Sequence, residues 1–174
     1  GKGSLYYTAS LRYALPEEVQ SARDEGLGVV MQLSDNATGE EIKVNSDSPV
    51  LELENGKTYK VTITLSSSYD RDFIALRVPV PSGAEILDAT FVTTGSGAQI
   101  KSESDSWGNW MSSQTLYDNE AQFFYDGFRK GAATITFRFR TSRRGVYPVP
   151  PVQAECMYEP EVFGRADGYL FVIK

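Results

Sequence analysis

Lys57-Thr58-Tyr59-Lys60-Val61-Thr62-Ile63-Thr64-Leu65 puts Tyr59, Val61, Ile63 and Leu65 on one side of an extended chain and Thr58, Lys60, Thr62 and Thr64 on the other. Successive side chains of a pleated strand point to opposite faces, so this is an antiparallel strand with one face on a core and the other in water. Downstream, residues 73–80 keep Ile74, Leu76, Val78 and Val80 in step. Pro79 and Pro81 place that strand at a sheet edge or leaving the ladder, because proline has no N–H to donate. Residues 84–92, 121–128, 133–140, 152–158 and 169–173 read as further strands, the third of these alternating Ile135, Phe137 and Phe139 with Thr136, Arg138 and Arg140. Upstream, residues 27–33 form another, and residues 5–13 place Leu5, Tyr7, Ala9, Leu11 and Tyr13 on one face. Pro16 ends that first strand, and the polar residues 16–26 are a linker, a loop or a single helical turn. Asp35-Asn36-Ala37-Thr38-Gly39 supplies a hairpin loop between Val29-Val30-Met31 and Ile42-Lys43-Val44, and its Asn36-Ala37-Thr38 also fits a glycosylation acceptor; both readings put it at the surface. Residues 95–119 read as a long irregular segment. About nine or ten short strands at hairpin spacing, without helices between them, predict an all-β, antiparallel, immunoglobulin-like sandwich, with a closed barrel as the alternative.

A chain of 174 residues suits one domain, residues 1–174, burying about 70% of the surface its unfolded form exposes. The net charge is −6 and the Lys and Arg residues are dispersed, so no basic face is available for nucleic acid. The chain has no His and one Cys. A Ser-His-Asp or Cys-His relay therefore cannot be assembled, and His- or Cys-liganded zinc sites lack ligands. No apolar run is long enough to span a membrane. A lone Cys forms no intrachain disulfide and says nothing of the redox compartment. No cofactor is expected.

Trp107, Trp110 and Tyr117 lie in a Ser/Gly-rich stretch, where they either offer stacking faces to a sugar or a protein partner or fold back to cap one end of the sandwich. Asp105, Asp118, Glu120 and Asp126 do not have the spacing of a calcium loop and read as solvated acids. Glu155, Glu159 and Glu161 would need to face one another across a cleft to act as an acid/base pair. Gly1-Lys2-Gly3-Ser4 and Gly95-Ser96-Gly97 each lack part of a phosphate-binding or dinucleotide motif. Cys156 shares a strand face with Val152, Ala154 and Tyr158, the position of a small buried hydrophobe, and has no basic neighbour in sequence to make it reactive.

Four segments in order carry a resemblance. They are Gly1-Lys2-Gly3-Ser4-Leu5-Tyr6-Tyr7, then Arg77-Val78-Pro79-Val80-Pro81-Ser82-Gly83-Ala84-Glu85, then Phe124-Tyr125-Asp126 ahead of Gly131, and lastly residues 145–165 with Pro150-Pro151, Met157-Tyr158-Glu159-Pro160-Glu161 and Gly164-Arg165. Together they resemble the last macroglobulin-like domain of the bacterial alpha-2-macroglobulins, with Ser82 where that family has Ala. Residues 103–114 depart from the pattern, as does Cys156, which stands where a non-thiol is expected. The resemblance implies a non-enzymatic C-terminal module of a much larger endopeptidase inhibitor in the periplasm or at the cell surface, where a lipid anchor on the parent's N-terminus would hold it. Its partners would be other domains of the parent and, through the parent, target proteases. The family's thioester is made in a Cys-x-Glu-Gln run that this sequence lacks, so the module would pack against a neighbouring thioester domain, with Met157 and Tyr158 keeping water off the bond. The alternative is a stand-alone surface adhesin or carbohydrate-binding sandwich using Trp107, Trp110 and Tyr117.

Overall fold

In the computed structural model, residues 4, 6–11, 20–44, 49–87, 101–104 and 109–174 are described. Tyr59, Val61, Ile63 and Leu65 all point inward on β4 (Thr58–Ser67), each 2% exposed or less. That strand lies between β2 (Gly28–Asp35) and β10 (Gly131–Thr141), with Ile63 opposite both Met31 and Ile135 and Val61 opposite Phe137. β6 (Ala84–Ile86) and β7 (Lys101–Ser104) pair with the other edge of β10 and complete a five-stranded sheet.

A six-stranded sheet faces it, in the order β1 (Arg23–Glu25), β13 (Glu159–Arg165), β12 (Gln153–Cys156), β5 (Arg71–Pro79), β9 (Glu120–Phe128), β8 (Ser113–Leu116). Ile74, Leu76 and Val78 of β5 and Ala121, Phe123 and Tyr125 of β9 form its inner face. The rings of Phe123 and Phe137 meet between the sheets with centroids 6.1 Å apart. A three-stranded sheet of β11 (Gly145–Val149), β14 (Tyr169–Ile173) and β3 (Val50–Leu53) adds Val149, Phe171, Ile173, Leu51 and Leu53 to the same core. Its β14–β3 pair is parallel; every other pairing of named strands is antiparallel. No helix occurs among the described residues, and the architecture is the all-β sandwich that the alternation predicts.

The Asp35 turn forms, but residues 42–44 after it are not a strand, and Glu41 meets β2 through a single isolated bridge to Ser34. Ala37 N and Thr38 N donate to Asp35 Oδ1 at 2.7 and 3.1 Å, and these backbone donors, Thr38's foremost, hold its carboxyl below the usual carboxylate range. Ile42 N closes the loop onto Leu33 O at 2.8 Å. Pro81-Ser82-Gly83-Ala84 is a tight turn, with Ala84 N donating to Pro81 O and Gly83 O accepting from Ser142 N and Arg143 N. A Cβ on Gly83 would lie 2.5 Å from the Tyr147 ring, so only glycine lets that ring close over the turn.

Several expectations need correction. Residues 6–11 belong to no strand, and Tyr6, Tyr7 and Leu11 are 92%, 83% and 83% exposed; the remaining ends of the predicted strand lie outside the described residues. β5 is flanked by β12 and β9 and is not at an edge; of the two readings of its prolines the other holds, for the strand leaves the ladder at Pro79, its last residue, where a missing donor costs no interior bond. Residues 145–149, outside every strand the alternation picks out, make β11, an edge strand on which Pro148 is tolerated. β1, β3 and β13 were not apparent as strands, and the supposedly irregular 95–119 contains β7 and β8. Of the strand expected over 84–92, β6 accounts for Ala84–Ile86, and residues 88–92 lie outside the described residues.

Candidate functional site

At one end of the six-stranded sheet the β12–β13 hairpin and the start of β5 combine to present three apolar side chains outward. β12 pairs with β5, placing Cys156 opposite Ile74, and with β13, where the register shifts between Glu155 and Cys156. Val152, Ala154 and Cys156 are buried at 2%, 0% and 2%. Past the shift the chain reverses, and Tyr158 does not join that buried face: it is 77% exposed, and Met157 53%. Strand alternation predicts Tyr158 inside, but a bulge followed by a turn cancels the parity. Met157 N donates to Phe73 O at 2.9 Å, tying the turn to β5.

Phe73 completes the cluster. It has φ 55°, the one non-glycine with positive φ among the described residues, a conformation costing a side-chain-bearing residue roughly 1–2 kcal/mol. Its ring is 46% exposed and meets Tyr158 edge-on, with centroids 5.2 Å apart at 85°. Edge-to-face packing is the favoured aromatic geometry, and strain retained at an exposed aromatic points to a use for the exposure. Arg71 borders the cluster, its Nη1 3.4 Å from Glu159 Oε2 and its guanidinium 5.7 Å from the exposed Tyr69 ring. Sequence reasoning singled out Met157 and Tyr158 and missed Phe73. The signal was present: Phe73 is a large ring on the polar parity of a strand whose apolar parity is Ile74, Leu76 and Val78.

Trp110 is 70% and Tyr117 50% exposed, so neither folds into the core as a cap; Trp107 lies outside the described residues. Trp110 and Tyr117 sit beyond opposite ends of β8, on the order of 20 Å apart at the rise of an extended chain, and do not form one stacking platform. Trp110 follows a fixed point, Asn109, which is 0% exposed. Asn109 Nδ2 donates to Arg129 O at 2.9 Å and its Oδ1 accepts from Arg129 N.

Glu120 pairs with Arg77 at 3.1 Å. No cluster of three potential metal ligands exists among the described residues, and Asp105 lies outside them. Burial pushes the Cys156 thiol up, with Arg71 only partly opposing it. Native protein is therefore expected to resist an aromatic disulfide reagent at pH 8 and to release one equivalent of chromophore promptly in denaturant; prompt labelling of the folded chain would show that the hairpin opens.

The fold is that of a macroglobulin-like module. The profile of the bacterial alpha-2-macroglobulin MG10 domain matches residues 26–161, and the chain belongs to this family. The chain is similar to the alpha-2-macroglobulin homolog of Nostoc sp., 25% identical over 178 residues that cover 100% of this chain and 9% of that protein. It is also similar to circularly permutated Ras protein 2 of Dictyostelium discoideum, 28% identical over 173 residues, 99% of this chain and 4% of that protein. It thus spans less than a tenth of the length of either relative. Among solved structures, native Escherichia coli alpha-2-macroglobulin from domain MG7 to the C-terminus superposes with a TM-score of 0.69 at 15% identity, over 91% of this chain and 25% of that one. Salmonella alpha-2-macroglobulin reacted with methylamine gives 0.66 at 15%, over 89% and 10%. At these identities the likeness is one of fold.

Proposed function

We propose that this chain is a non-catalytic, C-terminal module of a larger alpha-2-macroglobulin-like endopeptidase inhibitor of the periplasm or cell surface, and that Phe73, Met157 and Tyr158 dock on a neighbouring thioester domain of the same polypeptide. The observation that carries the reading is the outward display of these three side chains by a bulge, a tied turn and a left-handed Phe. Burying such side chains fully is worth about 1.5–3 kcal/mol each, enough to hold a tethered neighbour yet weak enough to be released by a rearrangement after protease cleavage. An apolar cover slows hydrolysis and amine attack on a thioester by excluding water and nucleophile. The partners are then the parent's other domains and, indirectly, its target proteases.

The test is the rate at which methylamine consumes the thioester of the full-length parent. Tyr158→Ala is expected to accelerate it about tenfold, the loss of roughly 1.4 kcal/mol of docking energy, while Tyr158→Phe keeps most of the protection. Unchanged kinetics for Tyr158→Ala in a parent with an intact thioester would refute the shielding role. Phe73→Gly separates docking from folding: it relieves the left-handed strain, so the isolated domain should lose no stability, yet in the parent it should accelerate the reaction.

A further inference from the structure

Tyr6-Tyr7-Thr8-Ala9-Ser10-Leu11 has the alternation of a half-buried strand, with Tyr7, Ala9 and Leu11 on one face, but in this fold it has nothing to alternate against. All six residues are exposed, and none is in a strand. Among the described residues, the hydrogen bonds that hold the chain to the domain come further on. Gly168 N donates to Gln20 O at 2.8 Å, Arg165 Nε to Ser21 O at 2.9 Å, and Ala22 N to Asp167 Oδ1 at 2.8 Å. The family profile begins at residue 26, whereas the two longer relatives align over 99% and 100% of this chain.

We propose that residues 6–11 form an edge strand in the sheet of an adjoining domain of the same polypeptide, not a strand of this one. Six residues in extended form span roughly 20 Å, an ordinary strand length. Added to an open sheet edge, they would pair their backbone groups and bury Tyr7, Ala9 and Leu11, which stay in water here; strand addition of this kind draws affinity from the main chain and specificity from alternate side chains. The occupant is a covalently linked domain because most of each relative's length lies outside this chain, and because in sequence only residues 12–19 separate the segment from Gln20, whose carbonyl this domain holds. Such a tether gives a linked sheet an effective concentration in the millimolar range, well above that of a free second copy. The inference requires only that the chain is part of a longer polypeptide, and it does not depend on thioester shielding.

Hydrogen exchange by mass spectrometry on the 174-residue chain and on the full-length parent tests it. In the 174-residue chain, amides 6–11 should exchange as in an unstructured peptide, and deletion of residues 1–13 should leave Tm unchanged to within about 1 °C, as for a segment outside the cooperative unit. In the parent the same amides should exchange at least a hundredfold more slowly. Leu11→Asp, on the apolar face, should abolish that protection, and Ser10→Asp, on the other face, should keep it. Protection already present in the monomeric 174-residue chain, or a fall in Tm on deletion, would return the strand to this domain and overturn the proposal. Protection that appears only as the 174-residue chain dimerises would assign the strand to a second copy, and absence of protection in the parent would leave it without any sheet; either outcome also overturns it. Methylamine kinetics remain a separate readout, so failure here and failure of the shielding reading are distinguishable.

Discussion

Gly164→Ala is expected to cost upward of about 3 kcal/mol, a large part of the 5–15 kcal/mol by which a domain is ordinarily stable. Gly164 lies on β13 opposite Ala154 on one side and Asp24 on the other. A Cβ built there would overlap the Leu27 carbonyl oxygen and lie 2.8 Å from its carbon. Both are backbone atoms, so no rotamer change relieves the overlap. Leu27 is fully buried, and Gly26 bridges to Phe163 beside it, so the backbone at residue 27 is fixed from both sides. The methyl can be accommodated only by prising β13 away from the entry to β2, which opens the core at Leu27 and Val162. Urea unfolding followed by circular dichroism measures the effect. A loss below about 1 kcal/mol would mean that the two segments are not held so close. Gly39, with a φ of 74° and nothing within 4 Å of a Cβ, is the control; there Gly→Ala should cost about 1–2 kcal/mol through left-handed backbone strain alone.

Asn109→Ala is the second large effect. The Asn109 amide imitates a strand residue, donating to one backbone group of Arg129 and accepting from another. Alanine removes both partners and leaves the Arg129 N–H and C=O without them beside a buried cavity, at about 1–3 kcal/mol for each group. Loss of about 2–4 kcal/mol is expected, together with faster amide exchange at residue 129. Near-neutral stability with unchanged exchange would show that water replaces the amide without cost.

What the sequence made legible follows from what each strand buries. β4 and β10 alternate cleanly because one face meets the core and the other water, so Tyr59 to Leu65 and Ile135 to Phe139 were identifiable as inward, whereas the buried Ser67 and Thr141 that end these strands were not. β1 is Arg-Asp-Glu, exposed throughout; it is a strand only because its backbone pairs with β13, and no side-chain pattern records that. β13 opens with Glu-Pro-Glu and buries only Val162 and Gly164, too little for a period to show. The opposite error occurs at residues 6–11, where the alternation is plain but gives no hint of which sheet it serves. At the candidate site, Met157 and Tyr158 were identified through family resemblance, whereas the exposure of Tyr158 depends on a bulge that parity cannot anticipate. Asn109 was out of reach, since its role rests on a backbone partner twenty residues along the chain.

The parallel pairing of β14 with β3 governs the order in which the molecule can be made. Leu51 and Leu53 are translated well before the strand that covers their edge, Leu170 to Ile173. Contacts between distant segments pay their loop-closure entropy late, and folds dominated by them mature on millisecond-to-second timescales. Until then β3 is an apolar strand with an open edge, the kind of surface on which nascent chains aggregate. Synthesis of Leu170 to Ile173, not the assembly of the larger sheets, is therefore the step at which β3 gains its cover.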